Sequence, residues 1–199
     1  MLERSIKILK NGDFKIENIG VQEVTIKTKK KTIKHCSINE IDVRDESLNT
    51  AEFEVYVDGG LLEDFVGDGL LISTSFGSTA YNLSFGGSII YNTFTSLQIT
   101  PMAPINSKVY RSLLNSVIIP DKKVINVVPN IDKRNLIVTI DGENNIYENV
   151  NGELFHDAFE ISRCYLKNGE LVDLHTVETT ENGIGYNDCY NYLSEDGLS

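Results

Sequence analysis

Short runs of apolar and β-branched residues, separated by turn residues, recur along most of the chain. Strands are predicted over residues 53–57, 61–65, 69–73, 124–128, 136–140, 159–166 and 170–174. Asn-Gly or Asp-Gly pairs, which favour the positive φ angles of type I′ hairpin turns, occupy residues 11–12, 58–59, 141–142, 151–152 and 168–169. Short strands joined by tight turns predict a mainly β fold, arranged as a β-sandwich.

Residues 77–87 depart from this pattern and predict one short helix after a Ser/Thr/Gly-rich turn. Ser78 is a suitable N-cap, and Gly86 is a suitable C-terminal stop. The free N–H groups of a helix start, with the hydroxyls of Ser78 and Thr79, suit a phosphate or a base edge. Tyr81 has a ring that can stack on a base. A purely structural capped helix has the same pattern, so both interpretations stand at this point.

Residues 24–34 contain five lysines, of which Lys27, Lys29 and Lys31 alternate. Alternation places these three side chains on one face of a strand. We interpret this face as the solvated side of an edge strand, where charge discourages aggregation. A phosphate-binding strip is the alternative.

Length and composition predict a globular chain. Its 199 residues are 41% hydrophobic and include only 4 prolines, which excludes disordered and collagen-like classes. We expect one domain over residues 1–180 and a polar tail over 181–199. The formal net charge of −11 disfavours nucleic acid and anionic membranes as partners, but it is compatible with a small anionic ligand held by local donors.

The ends and the cysteines predict a cytoplasmic protein. The first residues show no apolar signal core, and no run approaches the roughly 20 apolar residues of a membrane span. The three cysteines are widely spaced and form no CxxC motif, which indicates a reducing compartment. The three histidines form no HxH or HExxH pattern, so no metal site is expected.

Four motifs resemble those in the C-terminal half of the NAD kinase family. The sequence GDGLLISTSFGSTAYNLSFGG, at residues 67–87, is similar to the family's signature. Residues 97–106 resemble its L-x-L-T-P-hydrophobic-x-P segment, residues 37–41 its L-N-E motif, and residues 138–142 its V-x-V-D-G strand end. Because the four motifs occur in the family's order, the chain is identified as a member of this family.

The resemblance implies the family's β-sandwich, with one short helix after the STSFGSTAYN turn. It also implies a site for NAD or an NAD-derived adenine nucleotide, with no further cofactor required. The residues that match the family's ligand-binding positions are Asn39, Glu40, Asp68, Phe76, Ser78, Thr79, Ala80, Tyr81, Ser84, Ala103, Ile105 and Asp141.

By this resemblance, Asn39 and Glu40 contact the ribose and phosphate of the ligand, and residues 76–81 surround its adenine. The chemistry is suitable, since a carboxylate accepts two hydrogen bonds from a ribose diol and an amide both donates and accepts. Ser75 and Phe76 stand where the family usually has Pro and a small polar residue. Phe76 adds bulk beside the expected adenine pocket, which leaves the identity of the nucleotide open.

The resemblance also implies an assembly. Ser84, Ala103 and Ile105 match the wall around the other end of the dinucleotide, and Asp141 matches a position near the phosphates. Asp68 matches a carboxylate that reaches a neighbouring subunit's site in the family's tetramer. We therefore expect a homo-oligomer, a dimer or a tetramer, with sites at its interfaces.

The α/β half that carries the GGDG motif of NAD kinases is not matched, and we expect it to be absent. The triplet Gly67-Asp68-Gly69 lacks the preceding Gly and belongs to the later motif. With no residue to activate the 2′-hydroxyl, the first hypothesis is non-catalytic binding of the nucleotide. Such a binder would act as a sponge or a sensor, for instance a viral protein that sequesters a nucleotide defence signal in the host cytoplasm. The Asn-, Ile- and Lys-rich composition is compatible with a phage or an AT-rich host.

Two other hypotheses remain. The second hypothesis is an enzyme, either part of a split NAD kinase that acts with a separate N-terminal chain or another enzyme acting on the same nucleotide. The third hypothesis is a purely structural oligomerisation module. A kinase assay and a ligand screen separate the three, because they differ in turnover and in binding.

Overall fold

The computed structural model describes residues 2–12, 20–28, 32–91, 93–130, 135–147, 154–167 and 170–173. The helices are α1 (Leu2–Lys10) and α2 (Tyr81–Ser84), and a 3₁₀ turn spans Phe76–Thr79. The strands are β1 (Val21–Thr28), β2 (Thr32–Ser37), β3 (Glu40–Asp45), β4 (Ala51–Val57), β5 (Gly60–Gly67), β6 (Gly69–Thr74), β7 (Ser96–Met102), β8 (Val117–Pro120), β9 (Ile125–Pro129), β10 (Leu136–Ile140), β11 (Glu143–Tyr147), β12 (Leu154–Lys167) and β13 (Glu170–Asp173). The predicted tail at 181–199 lies outside the described residues, and the 1–180 domain boundary stays a prediction.

Two antiparallel sheets face each other. The first has the order β2-β1-β12-β9-β4-β5, with β13 paired to β12, and the second has the order β11-β10-β3-β6-β7-β8. Every strand pair in both sheets is antiparallel. The prediction of a mainly β sandwich is therefore confirmed. In the described part of the chain, no helix is both long and apolar enough to cross a membrane.

The core lies between the sheets and follows the alternation of each strand. Apolar side chains at every second position point inward, and this places Val24, Ile26, Ala51, Phe53, Val55, Phe65, Ile125 and Val127 of the first sheet against Ile41, Val43, Leu70, Ile72, Leu97, Ile99, Ile119, Leu136, Val138 and Ile140 of the second. The rings of Phe53 and Phe65 stack with centroids 6.1 Å apart. Fully burying one such side chain contributes about 1.5–3 kcal/mol, so this layer dominates the stability of the fold.

Three of the predicted hairpins are confirmed. The β4–β5 turn has Asp58 at φ 49° and Gly59 at φ 77°, and the β10–β11 turn has Asp141 at φ 47° and Gly142 at φ 87°. Positive φ at both central positions is the type I′ geometry that these pairs favour. The third hairpin joins β12 to β13, with Lys167 opposite Glu170.

The Asn-Gly pair at 11–12 does not form a hairpin, so that prediction is wrong. It ends α1 instead, where the N–H of Asn11 donates to Lys7 O and the N–H of Gly12 donates to Leu9 O. Gly12 has φ 68°. A glycine of positive φ serves a helix C-terminus as readily as a tight turn, which is why the local pattern misled. The pair at 151–152 lies outside the described residues.

The lysine-rich segment is a hairpin and not the single strand that its alternation predicted. It divides into β1 and β2, and residues 29–31 between them lie outside the described part. Lys27 lies on β1, which pairs with both β2 and β12, so the edge-strand interpretation is wrong for this residue. Lys29 and Lys31 lie outside the described residues. The edge strand is β2. Lys34 on β2 is exposed, and its Nζ lies 2.7 Å from a carboxylate oxygen of Glu23 on β1.

Candidate functional site

The corner between β2 and β3, residues 37–40, lies where three segments of the chain meet. The β10–β11 turn contacts it on one side, and the end of β6 with the following 3₁₀ turn contacts it on the other. Three of the four predicted motifs are therefore brought together at one end of the second sheet. Asn39 in this corner is half-buried and Glu40 is buried.

Asp141 binds the corner through its carboxylate. Its Oδ1 accepts hydrogen bonds from Ser37 Oγ at 2.8 Å, Asn39 N at 2.8 Å and Glu40 N at 3.2 Å. Its Oδ2 accepts one from Ile38 N at 2.8 Å. In return, the N–H of Asp141 donates to Glu40 O at 3.1 Å. The type I′ turn thus places one carboxylate against three successive backbone N–H groups.

The opposite side of the corner is held by its carbonyl groups. Thr74 Oγ1 donates to Ile38 O at 2.6 Å, and Thr74 N donates to Asn39 O at 3.0 Å. The N–H of Gly77 donates to Thr74 Oγ1 at 3.0 Å. A Cβ at Gly77 would lie 2.6 Å from Asn39 Cα and closer still to its carbonyl group. Gly77 is therefore required for the 3₁₀ turn to approach the corner.

Glu40 is a buried carboxylate in an acidic setting. Burial raises the pKa of its carboxyl, and the neighbouring carboxylates of Asp141 and Asp42 raise it further. The backbone N–H of Tyr81 opposes this shift by donating to the carboxylate. Its Oε2 is buried and has no hydrogen-bond partner among the described residues. The described protein therefore leaves one buried oxygen of this carboxylate without a hydrogen-bond donor.

A second buried carboxylate, Asp42, lies two residues further along β3. Burial raises the pKa of Asp42, and the Arg44 guanidinium, with its Nε 2.6 Å from Oδ1, opposes that rise. Since Arg44 is engaged with Asp42, the positive charge does not compensate Glu40 directly. The site end of the sheet is accordingly acidic.

The predicted short helix exists, but Ser78 is not its N-cap. Ser78 lies within the 3₁₀ turn, is fully buried, and its Oγ exchanges hydrogen bonds with the N and O of Ile90. The N-cap of α2 is Ala80, which has no side-chain capping bond. Gly86 ends this segment with φ 76°, as predicted. The Ser78 hydroxyl is thus used within the protein, because the following loop folds back over the turn.

Several side chains around the corner face solvent. Phe76 and Tyr81 expose 46% and 41% of their surface, and Thr79 and Ser84 are exposed as well. The ring of Tyr81 packs edge-on against Phe85 at 4.9 Å between centroids, which fixes its orientation. Two aromatic side chains with exposed surface therefore lie on the turn and helix that pack against the corner.

The remaining predicted residues lie at the other end of β6. Asp68 precedes the strand, and Ala103 and Ile105 follow β7 beside it; all three are exposed. β6 spans six residues, so about 17 Å separates this group from the corner. Gly67 and Gly69 flank Asp68 because a Cβ at either position would lie within 3 Å of neighbouring atoms. One copy of the chain therefore does not bring the two groups together.

The model of the ATP-NAD kinase C-terminal domain matches residues 38–168. The chain belongs to the NAD kinase family. The NAD kinase of Finegoldia magna is 42% identical over 154 residues, which cover 75% of this chain and 56% of the relative. The NAD kinase of Lactobacillus helveticus is 43% identical over 108 residues, covering 54% of this chain and 39% of the relative. The chain thus spans about half, or less, of the relatives it matches.

Two solved structures share this NAD kinase fold. Yeast NADH kinase complexed with NADH has a TM-score of 0.64 at 23% identity. The match covers 81% of this chain and 45% of the yeast chain. An NAD kinase from Archaeoglobus fulgidus in complex with ATP has a TM-score of 0.61 at 20% identity, covering 82% and 57%. The predicted family and its β-sandwich are confirmed.

Sequence reasoning missed two buried residues that hold the corner, Gln22 and Thr74. Gln22 Nε2 donates to Ile72 O at 3.0 Å and to Ser37 Oγ at 3.3 Å. Thr74 organises the corner as described above. Thr74 stands in the signature motif, so its conspicuous hydroxyl was available as a signal. Gln22 had none, because its role depends on packing between strands distant in sequence.

Across the described ranges, no group of three or more His, Cys, Asp or Glu side chains is arranged to hold a metal ion.

Proposed function

We propose that this chain binds NAD or an NAD-derived adenine nucleotide at the corner of residues 37–40. The observation that carries the proposal is the buried Oε2 of Glu40, which lacks a partner in the described part of the chain. A buried acceptor without a partner is costly, and a ligand hydroxyl would satisfy it. The exposed rings of Tyr81, whose backbone N–H donates to Glu40, and of Phe76, in the 3₁₀ turn that approaches Asn39, belong to the same end of the sheet.

The chemistry of the corner suits a nucleoside. Glu40 accepts hydrogen bonds from ribose hydroxyls, and the side-chain amide of Asn39 both donates and accepts. Stacking of a base on an aromatic ring contributes about 1–3 kcal/mol per base, which gives Tyr81 and Phe76 a role in holding adenine. Thr79, Ala80 and the backbone of the 3₁₀ turn are proposed to border the same base.

The relatives support a nucleotide partner. Yeast NADH kinase was solved with NADH and the archaeal NAD kinase with ATP, and both share the fold of this chain. Both ligands contain adenosine, which suits a site with one ribose-binding carboxylate and an aromatic pair. We infer that adenosine is the part of these ligands that this chain recognises, and NAD is the first ligand to test.

We propose that the chain binds without catalysing phosphoryl transfer. Its nearest approach to a GGDG motif is Gly67-Asp68-Gly69, preceded by Val66. That triplet lacks the first glycine of the motif, and within one copy it lies at the far end of β6 from Glu40. Binding without turnover suits a sponge or a sensor of the nucleotide.

Calorimetric titration with NAD, NADP, ADP-ribose and ATP tests binding. We expect saturable heat with an adenine dinucleotide or ADP-ribose, and at least a tenfold weaker response from Asn39→Ala and from Tyr81→Ala. Tyr56→Ala is the control, because Tyr56 lies on the first sheet, away from the corner. Binding that survives both corner variants places the site elsewhere.

A second candidate function is a share in NAD kinase activity. The 42% identity with the Finegoldia magna NAD kinase, over 75% of this chain, favours it. The chain by itself is expected to show no NADP formation from ATP and NAD. Turnover by the isolated chain would contradict the non-catalytic proposal. Turnover that appears only when the N-terminal part of the relative is added would instead establish a split enzyme.

We also propose that the chain assembles into a homo-oligomer. The support is the distance between the corner and the group formed by Asp68, Ala103 and Ile105, which one copy holds at opposite ends of β6. A second copy can bring its Asp68 to the corner of the first. Light scattering after size exclusion is expected to give the mass of a dimer or a tetramer of the 22.2 kDa chain. A single species with the mass of one chain would contradict the assembly.

A further inference from the structure

The corner of residues 37–40 offers three successive backbone N–H groups, those of Ile38, Asn39 and Glu40, to one carboxylate. Successive N–H groups of this kind form a concave anion site, which ligands such as phosphate occupy in other proteins. Here the chain occupies the site with its own Asp141. The anion site is therefore closed to a phosphate, and the turn residue takes its place.

We propose that Asp141 is a positioning residue, which holds the corner in the conformation that presents Asn39 and Glu40 and does not itself contact the nucleotide. The ligand part of this inference rests on the proposed function. Three donors converge on Oδ1 and one on Oδ2. A carboxylate has about four acceptor positions, so the protein uses nearly all of this capacity.

The hydrogen bonds that fix the corner continue into the core of the sandwich. Ser37 Oγ donates to Asp141 and accepts from Gln22 Nε2, which also donates to Ile72 O. Gln22 is fully buried and Ser37 is 1% exposed, so neither residue is accessible to a ligand. Gln22 belongs to β1 of the first sheet and Ile72 to β6 of the second. The corner is thus tied to both sheets at once.

The carbonyl side of the corner is fixed independently. Thr74 donates to Ile38 O and to Asn39 O through its hydroxyl and its N–H. Backbone groups on both sides of the corner are therefore engaged, and the Asn39 and Glu40 side chains remain to meet a ligand. A site preorganised in this way binds without the entropic cost of ordering a loop.

The test compares Asp141→Asn with Asp58→Asn. Asp58 occupies the same position of the other type I′ turn and also accepts a backbone N–H, from Val124, so the two changes match in charge and in turn type. In Asp141→Asn an amide NH₂ replaces one carboxylate oxygen and faces at least one backbone donor. In the absence of ligand, we expect amide hydrogen exchange at residues 38–40 to become about tenfold faster in Asp141→Asn. In a separate titration, we expect the affinity of this variant for NAD to fall by a similar factor. Asp58→Asn is expected to change neither.

Ser37→Ala separates positioning from direct contact. It is expected to change the same exchange rates and affinity in the same direction, although its buried hydroxyl touches no ligand, and to be non-additive with Asp141→Asn. The inference is overturned if Asp141→Asn weakens NAD binding while residues 38–40 stay as protected as in the unmodified chain, or if neither variant alters exchange. If Asp141→Asn does not fold, Ser37→Ala decides by the same criteria. An unmodified chain that binds no nucleotide overturns the proposed function, whereas the exchange rates still decide whether Asp141 holds the corner.

Discussion

At the scale of single residues, the site keeps a carboxylate where the fold disfavours it. Glu40 is buried beside Asp141 and Asp42, and its pKa is raised chiefly by that burial. Charged groups in such positions reduce stability, and they persist where function requires them. The same residue therefore links the stability of the domain to its proposed ligand.

Glu40→Gln is expected to stabilise the fold and to abolish NAD binding. The raised pKa means that the charged form is disfavoured in the folded state, so the cost is greatest above that pKa. Below about pH 4 the carboxyl is protonated in the unfolded chain as well, and the cost disappears. The gain of Glu40→Gln, about 1 kcal/mol, should thus be present at pH 7 and vanish at pH 3–4. Denaturant unfolding at several pH values measures it.

Glu63→Gln is the matched control. Burial also raises the pKa of Glu63, which accepts a hydrogen bond from Leu113 N at 2.9 Å on an edge strand of the first sheet. It should change stability with the same dependence on pH and leave NAD affinity unaltered. Equal loss of affinity in both variants would mean that Glu40 acts only through stability.

At the scale of elements, the 3₁₀ turn and the β2–β3 corner form one unit. The turn rests against the Asn39 backbone at Gly77, and the loop after α2 returns to bind Ser78. Asn82 of α2 fastens the unit to the outer face of the second sheet, because its Oδ1 accepts from Thr100 Oγ1 at 2.6 Å. A shift in the turn is therefore passed to the corner.

Gly77→Ala is expected to lower both stability and NAD affinity. The new methyl group would meet the rigid Asn39 backbone, and overpacking of this kind costs about 1–3 kcal/mol. Gly86→Ala is the control, since Gly86 has φ 76° with open space around it and its change strains only its own backbone. Thermal unfolding should detect both variants, whereas calorimetry should detect only the first. Unchanged affinity in Gly77→Ala would show that the turn does not shape the corner.

Local chemistry explains which elements the sequence predicted. Asp58-Gly59 and Asp141-Gly142 adopt the turn that their own backbone preferences favour, and the flanking alternation sets the strands. Local spacing predicts a capping role for Ser78, whereas its true partner, Ile90, is brought near only by the fold. The bonds of Asp141 to the corner span about a hundred residues, so no local pattern contains them.

At the scale of the whole molecule, the sandwich holds its proposed ligand-binding residues in two groups at opposite ends of β6. The corner, the 3₁₀ turn and α2 form one group, and Asp68 with Ala103 and Ile105 forms the other. The resemblance already implies that Asp68 reaches a neighbouring subunit's site, but motif matching carries no distances between the two groups. A complete site made from both groups needs a second copy of the chain.

Mixing two defective variants tests this arrangement. Asn39→Ala and Asp68→Ala are each expected to bind NAD weakly. When the two variants are dissociated and reassembled together, each mixed dimer contains one site with an intact corner and an intact Asp68. Random pairing in a two-fold dimer should therefore restore about a quarter of the sites. Asn39→Ala mixed with Tyr81→Ala is the control, since both changes lie at the same end of β6 and no exchange of copies repairs either corner. Full NAD affinity in Asp68→Ala would contradict a shared site.

A crystal structure of the chain with NAD bound is the most direct measurement of the central claim. The account predicts a ribose hydroxyl within hydrogen-bond distance of the Glu40 carboxylate, the adenine ring against Tyr81 or Phe76, and Asp141 still bound to the N–H groups of residues 38–40. Nucleotide density at another place, or Glu40 without a contact to a bound ribose, would contradict it.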